Sequence, residues 1–188
     1  MPDALEIITP TLERLPQYKD ALERGWSPDN VNLEKTARAH LAAIEEDAAA
    51  FVAGLTDIEA KGAPITMPDG TTRPRLPGRF FWVWDGEFCG GFGLRWVNGT
   101  SELPDYCLGH IGYSIVPWKR RRGYATAALA QVLGEARKVG LASVQLTTDL
   151  KNEPSQKVIR ANGGRLLGPR QKYSAYGDAE ELLWRIEL

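Results

Sequence analysis

The sequence predicts an α+β domain in which helices and strands are mixed along the chain. Three observations carry this expectation. Apolar residues recur at three- and four-residue steps through Leu33, Ala37, Leu41, Ile44, Ala48 and Phe51, the period of an amphipathic helix. Two β-rich runs flank Asp85-Gly86, a dipeptide suited to a tight hairpin turn. Between Leu108 and Thr148 a strand, a basic turn, a helix and another strand follow one another, which makes one strand–helix–strand unit. With 188 residues, the chain fits a single domain at the usual ~100–200 residues each, long enough to bury a sizeable core.

Taken in order, Ala4–Thr9 reads as a short strand stopped at Pro10, which has no N–H for a ladder. Thr11 is placed to cap a helix reaching about Arg24, with Pro16 in its first turn or kinking it. Gly25 and Pro28 end that helix. The second helix runs from Asn32 or Leu33 to about Leu55, with Glu34, Arg38, Glu45 and Glu46 on its polar face. Residues 62–78, rich in proline and glycine around Asp69-Gly70, form an exposed loop or a small hairpin. Strands follow over Arg79–Asp85 and Glu87–Val97. Within the first, Phe80-Phe81-Trp82-Val83-Trp84 fills a core on alternate faces, or else turns Trp82 or Trp84 into an acceptor pocket. Asn98–Tyr106 is a polar loop and Leu108–Pro117 a strand. A helix over Gly123–Val139 carries Ala125, Ala128, Leu129, Val132, Leu133 and Ala136 on one face. The strand Ser143–Thr148 and the helix Glu153–Asn162, closed by Gly163-Gly164, come next. The tail makes two strands around Tyr173–Asp178.

Charge narrows the function. Lys and Arg number 23 against 24 Asp and Glu, a net charge of −1, which argues against nucleic acid or an anionic membrane as partner. No stretch approaches the ~20 apolar residues of a membrane span, and the first residues lack the basic and apolar runs of a signal peptide. The expected location is cytoplasmic. Cys89 and Cys107 belong to no CxxC or Cys/His pattern, so the sequence predicts reduced thiols and no metal site.

The chemistry is concentrated in His110-Ile-Gly-Tyr-Ser-Ile-Val-Pro-Trp-Lys-Arg-Arg-Arg-Gly-Tyr-Ala125. Here a strand runs into a basic turn that opens a helix through Gly123. Backbone N–H groups at a helix start favour anions, a glycine lets a ligand approach the main chain, and arginines add charge for a mono- or diphosphate. Neither a P-loop nor a GxGxxG fingerprint is present. The same cations also read as a plain basic surface turn, or as a small nucleic-acid patch over Lys119–Arg122.

Arg120-x-x-Gly123-x-Ala125 resembles the acetyl-CoA-binding motif [R/Q]-x-x-G-x-[G/A] of the GNAT N-acetyltransferase superfamily. A second segment, Asn152-Glu-Pro-Ser155-Gln-Lys-Val-Ile-Arg-Ala-Asn162-Gly-Gly164, is similar to that superfamily's later Asn…Ser…Gly-Gly stretch. The resemblance is close over Leu108–Leu167 and looser elsewhere. It implies a three-layer fold: a central, mixed but mostly antiparallel twisted sheet of about six or seven strands, about four flanking helices and a V-shaped splay between the two central strands. It implies one acetyltransferase domain over residues 1–188, with 1–106 as substrate-side half, 107–168 as acetyl-CoA-binding core and 169–188 as C-terminal strands.

By the same resemblance, backbone groups of Ile115 and Val116 pair with the pantetheine arm of coenzyme A, and an N–H near Val116 faces the oxyanion. Arg120, Arg121, Arg122, Gly123, Tyr124 and Ala125 receive the pyrophosphate. Asn152 and Ser155 reach the pantetheine or the adenine-side phosphate, while Asn152 also reads as a helix N-cap before Pro154. His110 stands ten residues before Arg120, where many relatives carry a Glu base, and imidazole is suited to take a proton near neutrality. It also reads as a packed strand histidine. The general acid departs from the pattern: Ile159 stands where many relatives have Tyr, so Tyr173, or Tyr176, becomes the candidate. Glu87, Glu102 and Asp105 suit a cationic acceptor.

The implied function is transfer of an acetyl group from acetyl-CoA to a primary amine, on a small molecule or on a protein or peptide N-terminus, by direct attack in a ternary complex. The alternative keeps the fold without catalysis, as an acyl-CoA sensor, a reading that Ile159 favours. The acceptor stays open among amino acids, polyamines, antibiotics and protein N-termini, and a homodimer is compatible with the exposed strands of that fold.

Overall fold

In the computed structural model the structure describes residues 5–188, so Ala4 of the first expected strand lies outside them. The chain divides into two compact units: residues up to Thr56 with Arg79–Gly93 and Gly112–Val132, and Asp57–Gly78 with Leu94–Ile111 and Leu133–Leu188. Among the described residues, no helix is long and apolar enough to cross a membrane.

The first unit opens with β1 (Glu6–Ile8) and α1 (Leu15–Glu23). The expected cap at Thr11 is not the helix start: α1 begins four residues later, with Pro16 in its first turn, where the missing N–H costs nothing. The second helix, α2 (Leu33–Gly54), is broken at Asp47, whose φ of −155° and ψ of 96° are not helical. Asp47 Oδ1 accepts the Ala50 N–H at 2.9 Å and so caps the segment that follows. The apolar period runs through this break unchanged, which is why periodicity alone misses it.

The helices cover an aromatic core. Tyr18 is fully buried, stacks on Trp82 at 5.1 Å between ring centroids and meets Trp26 and Phe88 edge-on at 5.6 and 5.4 Å. Trp82 and Trp84 are both buried in this cluster, which makes them core residues and leaves neither for an acceptor pocket. The hairpin around Asp85-Gly86 forms as expected, from β5 (Gly78–Trp84) and β6 (Phe88–Arg95) joined by Asp85–Glu87.

The short elements β2 (Thr56–Asp57), β3 (Ile65–Thr66) and β4 (Thr72–Arg73) precede that hairpin, and β3 with β4 makes the small hairpin allowed for in the 62–78 loop. After β6 come β7 (Ile111–Ile115), a 3-10 turn over Pro117–Lys119 and α3 (Tyr124–Lys138). The sheet order β1-β5-β6-β7, with β2 added to β5, leaves β7 as an edge.

The second unit holds a three-stranded antiparallel sheet in the order β8-β10-β9, from β8 (Ser143–Asp149), β9 (Arg165–Gln171) and β10 (Glu180–Glu187), with α4 (Glu153–Ala161) between β8 and β9. Trp184 on β10 lies opposite Leu146, and its indole N–H donates to Thr148 Oγ1 at 3.1 Å. The mixed α+β, mostly antiparallel architecture is as expected; among the described residues the strands form sheets of five, three and two rather than one sheet of six or seven, and the division between the larger two falls after β7 and before β8.

Candidate functional site

β7 sets the main chain of the site. Arg95 N–H donates to His110 O at 2.9 Å and Val116 N–H donates to Cys89 O at 3.0 Å. Both pairs sum to the same register, so β6 and β7 run antiparallel, and alternate residues of β7 turn their main chain away from β6. Ile115 is one of these. Gly90 is required for this approach: it sits at φ +149°, and a Cβ there would stand 2.3 Å from Ser114 O and 2.8 Å from Ile115 Cα. Sequence reasoning missed Gly90, although a glycine run inside a strand (Cys89-Gly-Gly-Phe-Gly93) is the signal of such an approach.

Ile115 and Val116 therefore differ. Val116 N–H is held by Cys89 O, and Val116 O accepts the Lys119 N–H at 3.0 Å. The expectation that Val116 offers its main chain to a ligand, or its N–H to an oxyanion, is corrected by this pairing. Ile115 is buried, with its main chain turned away from β6, and its carbonyl accepts Arg120 Nε at 3.0 Å.

The bend from Arg120 to Gly123 carries two residues in the left-handed region, Arg121 at φ +60° and Gly123 at φ +78°. For arginine that conformation costs on the order of 1 kcal/mol or more. Arg120, Arg121, Arg122 and Gly123 are exposed, and Tyr124 and Ala125 are half-buried at the start of α3. A Cβ on Gly123 would meet nothing within 4 Å. The bend is open toward solvent and carries three arginines, features a phosphate cradle requires.

Lys119 is not part of that open charge. It is 7% exposed. Its Nζ lies 2.6 Å from Asp85 Oδ1 and 2.9 Å from Glu87 Oε2. The other oxygen of the same carboxylate, Asp85 Oδ2, accepts the Tyr124 hydroxyl at 2.7 Å. Burial alone would push the Asp85 carboxyl up, but the hydrogen bonds from Lys119 and Tyr124 outweigh it and hold it at about 2. Cys89, beside them, is pushed up to about 12 by burial and then by the Asp85 carboxylate. It is a thiol at neutral pH, without the thiolate that a covalent acetyl-cysteine requires.

His110 belongs to the second unit and is fully buried. Its N–H donates to Gln145 O at 2.8 Å, and its Nδ1 accepts the Gln145 N–H at 2.9 Å. The hydrogen of the neutral ring is then on Nε2, which is buried without a partner. Burial, the larger cause, and the charge of Arg95 lower its pKa to about 4, against a smaller opposite effect of the Gln145 bond. With Nδ1 accepting the Gln145 N–H, the His110 ring and main chain together clasp Gln145.

Tyr173 lies just before a 3-10 turn over Ser174–Tyr176. Its hydroxyl oxygen accepts Arg73 Nη2 at 2.6 Å and Nε at 3.2 Å, which leaves its own hydrogen to donate. Tyr176 instead donates to Tyr106 O at 3.3 Å. Asn152 caps α4: its Oδ1 accepts the Ser155 N–H at 3.2 Å, leaving Nδ2 as a donor. Ile159 on α4 is fully buried and packs against Gly164. Glu87 is engaged by Lys119. Among the described residues no three His, Cys, Asp or Glu side chains converge as a metal site.

Known proteins agree with this architecture. A family profile described as an "Acetyltransferase (GNAT) domain" matches residues 38–165. No curated protein matches the sequence. Among solved structures, the RimJ protein of Mycobacterium smegmatis in complex with CoA-disulfide is 20% identical, with 98% of this chain and 82% of that one aligned at a TM-score of 0.66. The microcin C7 self-immunity acetyltransferase MccE, in complex with acetyl-CoA and AMP, is 12% identical over 99% of this chain and 93% of that one, with a TM-score of 0.63. RimL, a ribosomal L7/L12 alpha-N-protein acetyltransferase in complex with coenzyme A, is 12% identical over 98% and 94%, with a TM-score of 0.58. At these identities the structures speak for the fold. The family profile spans well over half of the sequence and includes the Arg120–Ala125 bend, so the chain belongs to the GNAT acetyltransferase family.

Proposed function

We propose that this protein is an N-acetyltransferase that carries the acetyl group of acetyl-CoA, its cosubstrate, to a primary amine by direct attack in a ternary complex. Acetyl transfer from acetyl-CoA follows from membership of the family; the amine acceptor is the finer reading. The name of RimL, a ribosomal L7/L12 alpha-N-protein acetyltransferase, supports protein N-termini as an acceptor class. The observation that carries the reading is the exposed Arg120–Gly123 bend, with room at Gly123 and three arginines in it. Free, buried Cys89 and Cys107 support a reducing, cytoplasmic setting.

In this reading Arg120, Arg121, Arg122, Gly123, Tyr124 and Ala125 bind the pyrophosphate through main chain and guanidinium groups. Ile115, with its main chain turned away from β6, pairs with the pantetheine, and the Asn152 amide and Ser155 supply further polar contacts. The thioester supplies an activated acetyl group. The neutral amine attacks its carbonyl carbon, a C–N bond forms as the C–S bond breaks, and the proton lost by the amine ends on the departing sulfur. Tyr173, with a hydrogen to donate, is the acid to test, as a relay that gives its proton to the sulfur and regains the one that water takes from the amine. His110 acts as a positioning residue, and deprotonation of the amine falls to water. Rate then comes chiefly from holding amine and thioester together.

Incubating the protein with acetyl-CoA and a library of primary amines tests this directly. Thiol release with at least one amine is expected. Tight coenzyme A binding with no thiol release from any amine would favour the sensor reading, for which buried Ile159, a side chain with no proton to give, is the supporting observation.

A further inference from the structure

The carboxylate of Asp85 reaches both ends of one bend. Oδ1 holds Lys119, the residue before Arg120, and Oδ2 holds Tyr124, the residue after Gly123. The four residues between include both left-handed positions, Arg121 and Gly123. A non-glycine residue in that region returns to ordinary backbone unless its surroundings hold it there. Asp85 is itself fixed in the hairpin turn: its N–H donates to Glu87 O and its Oδ1 accepts the Glu87 N–H, both at 3.2 Å. Its side chain is 9% exposed, as is that of Lys119, so water competes weakly for these bonds. The pairing also explains why Lys119, alone of the four cations in the turn, is withdrawn from solvent.

We propose that Asp85 is a positioning residue for the cosubstrate: one carboxylate fastens both flanks of the Arg120–Gly123 bend and keeps its amides aimed at the phosphates. The inference rests on the acetyl-CoA reading of that bend and adds what makes it rigid. Asp85 touches no phosphate. It acts through Lys119 and Tyr124.

The test uses the full chain and the variants Asp85→Asn and Tyr124→Phe, with two readouts. The first is hydrogen exchange in the free protein. Loss of the staple should speed exchange at the hydrogen-bonded amides that hold the bend, Arg120, which donates to Pro117 O, and Ala127, which donates to Gly123 O, by about tenfold while β6 amides hold their rates. The second is calorimetric binding of coenzyme A against pantetheine, which lacks the phosphates. Affinity for coenzyme A should fall about tenfold, and affinity for pantetheine should stay, so that the ratio between them collapses. Adding Tyr124→Phe to Asp85→Asn should cost nothing further, since both act through one carboxylate. Unchanged exchange in the bend, or equal losses for coenzyme A and pantetheine, would overturn the staple. Failure of the unmodified protein to bind coenzyme A would instead overturn the proposed function, and the exchange experiment would still decide whether Asp85 fastens the bend. A variant that melts early is set aside in favour of Tyr124→Phe alone, which removes one hydroxyl and no charge.

Discussion

Just after β7, Lys119, Asp85 and Tyr124 keep their charges and hydrogen bonds matched beneath a bend whose arginines reach solvent. Just before β7, His110 is fully buried, uncharged and clasped to the main chain of Gln145. Both are ionisable and shielded from water, and of these residues only His110 was a candidate for the chemistry. The difference lies in their partners. A carboxylate and an ammonium in contact stabilise each other's charged forms even when shielded from water, whereas an imidazole that meets only an N–H is driven neutral. The first arrangement flanks the exposed bend proposed to hold the phosphates; the second ends a strand pairing.

The contrast can be broken at the bend with the largest effect. Gly123→Trp places an indole where the structure shows open space, and coenzyme A binding should fall by two orders of magnitude or more, on the order of 3 kcal/mol. The melting temperature should fall only by the cost of a left-handed non-glycine residue, about 1–2 kcal/mol. Calorimetry and thermal melting together check it.

The other side of the comparison is tested by pH. The unfolded histidine takes its proton near 6.5, and burial holds His110 at about 4. Between those values the unfolded chain binds more protons than the folded one, so stability is complete above about 6.5 and declines as pH falls toward 4. The decline amounts to about 3 kcal/mol for this residue. His110→Asn, which keeps an acceptor for the Gln145 N–H, should flatten this part of the stability–pH profile, with His40 contributing equally to both proteins. His110→Ala should lose about 1–3 kcal/mol at neutral pH because that N–H is left unpaired. A steep loss of kcat in His110→Asn with unchanged stability and pH profile would return the histidine to the reaction.

The smallest expected effect lies at α4. Asn152→Ala removes the N-cap and should cost about 1 kcal/mol of stability. A weakening of coenzyme A binding beyond that loss would show that Nδ2 also serves the cosubstrate.

Much of this was legible before any coordinates, and the reason is local. The Arg120–Ala125 and Asn152–Ser155 segments stand out by their resemblance to the family's motifs, and the helix start after Gly123 and the cap at Asn152 are also legible because they are local backbone features. The Asp85-Gly86 hairpin was readable for the same reason. What failed depends on contacts distant in sequence. Nothing near Asp85 announces Lys119, 34 residues away, or tells that Lys119 leaves the basic patch to meet it. Likewise the chemistry of His110 is set by Gln145, 35 residues on, and residue type alone promises a base where burial leaves none. Ile115 and Val116 were expected to act alike, and only the register with Cys89 distinguishes them, since it occupies the Val116 N–H. The break at Asp47 escaped because a capping aspartate within a helical period resembles any other exposed acid.

The most direct measurement is a calorimetric titration of coenzyme A into the unmodified protein and into Gly123→Trp, with the melting temperature of both recorded. The account predicts saturable one-site binding to the first, none to the second, and cooperative melting in each. Equal binding to both proteins would contradict it, as would no binding to either.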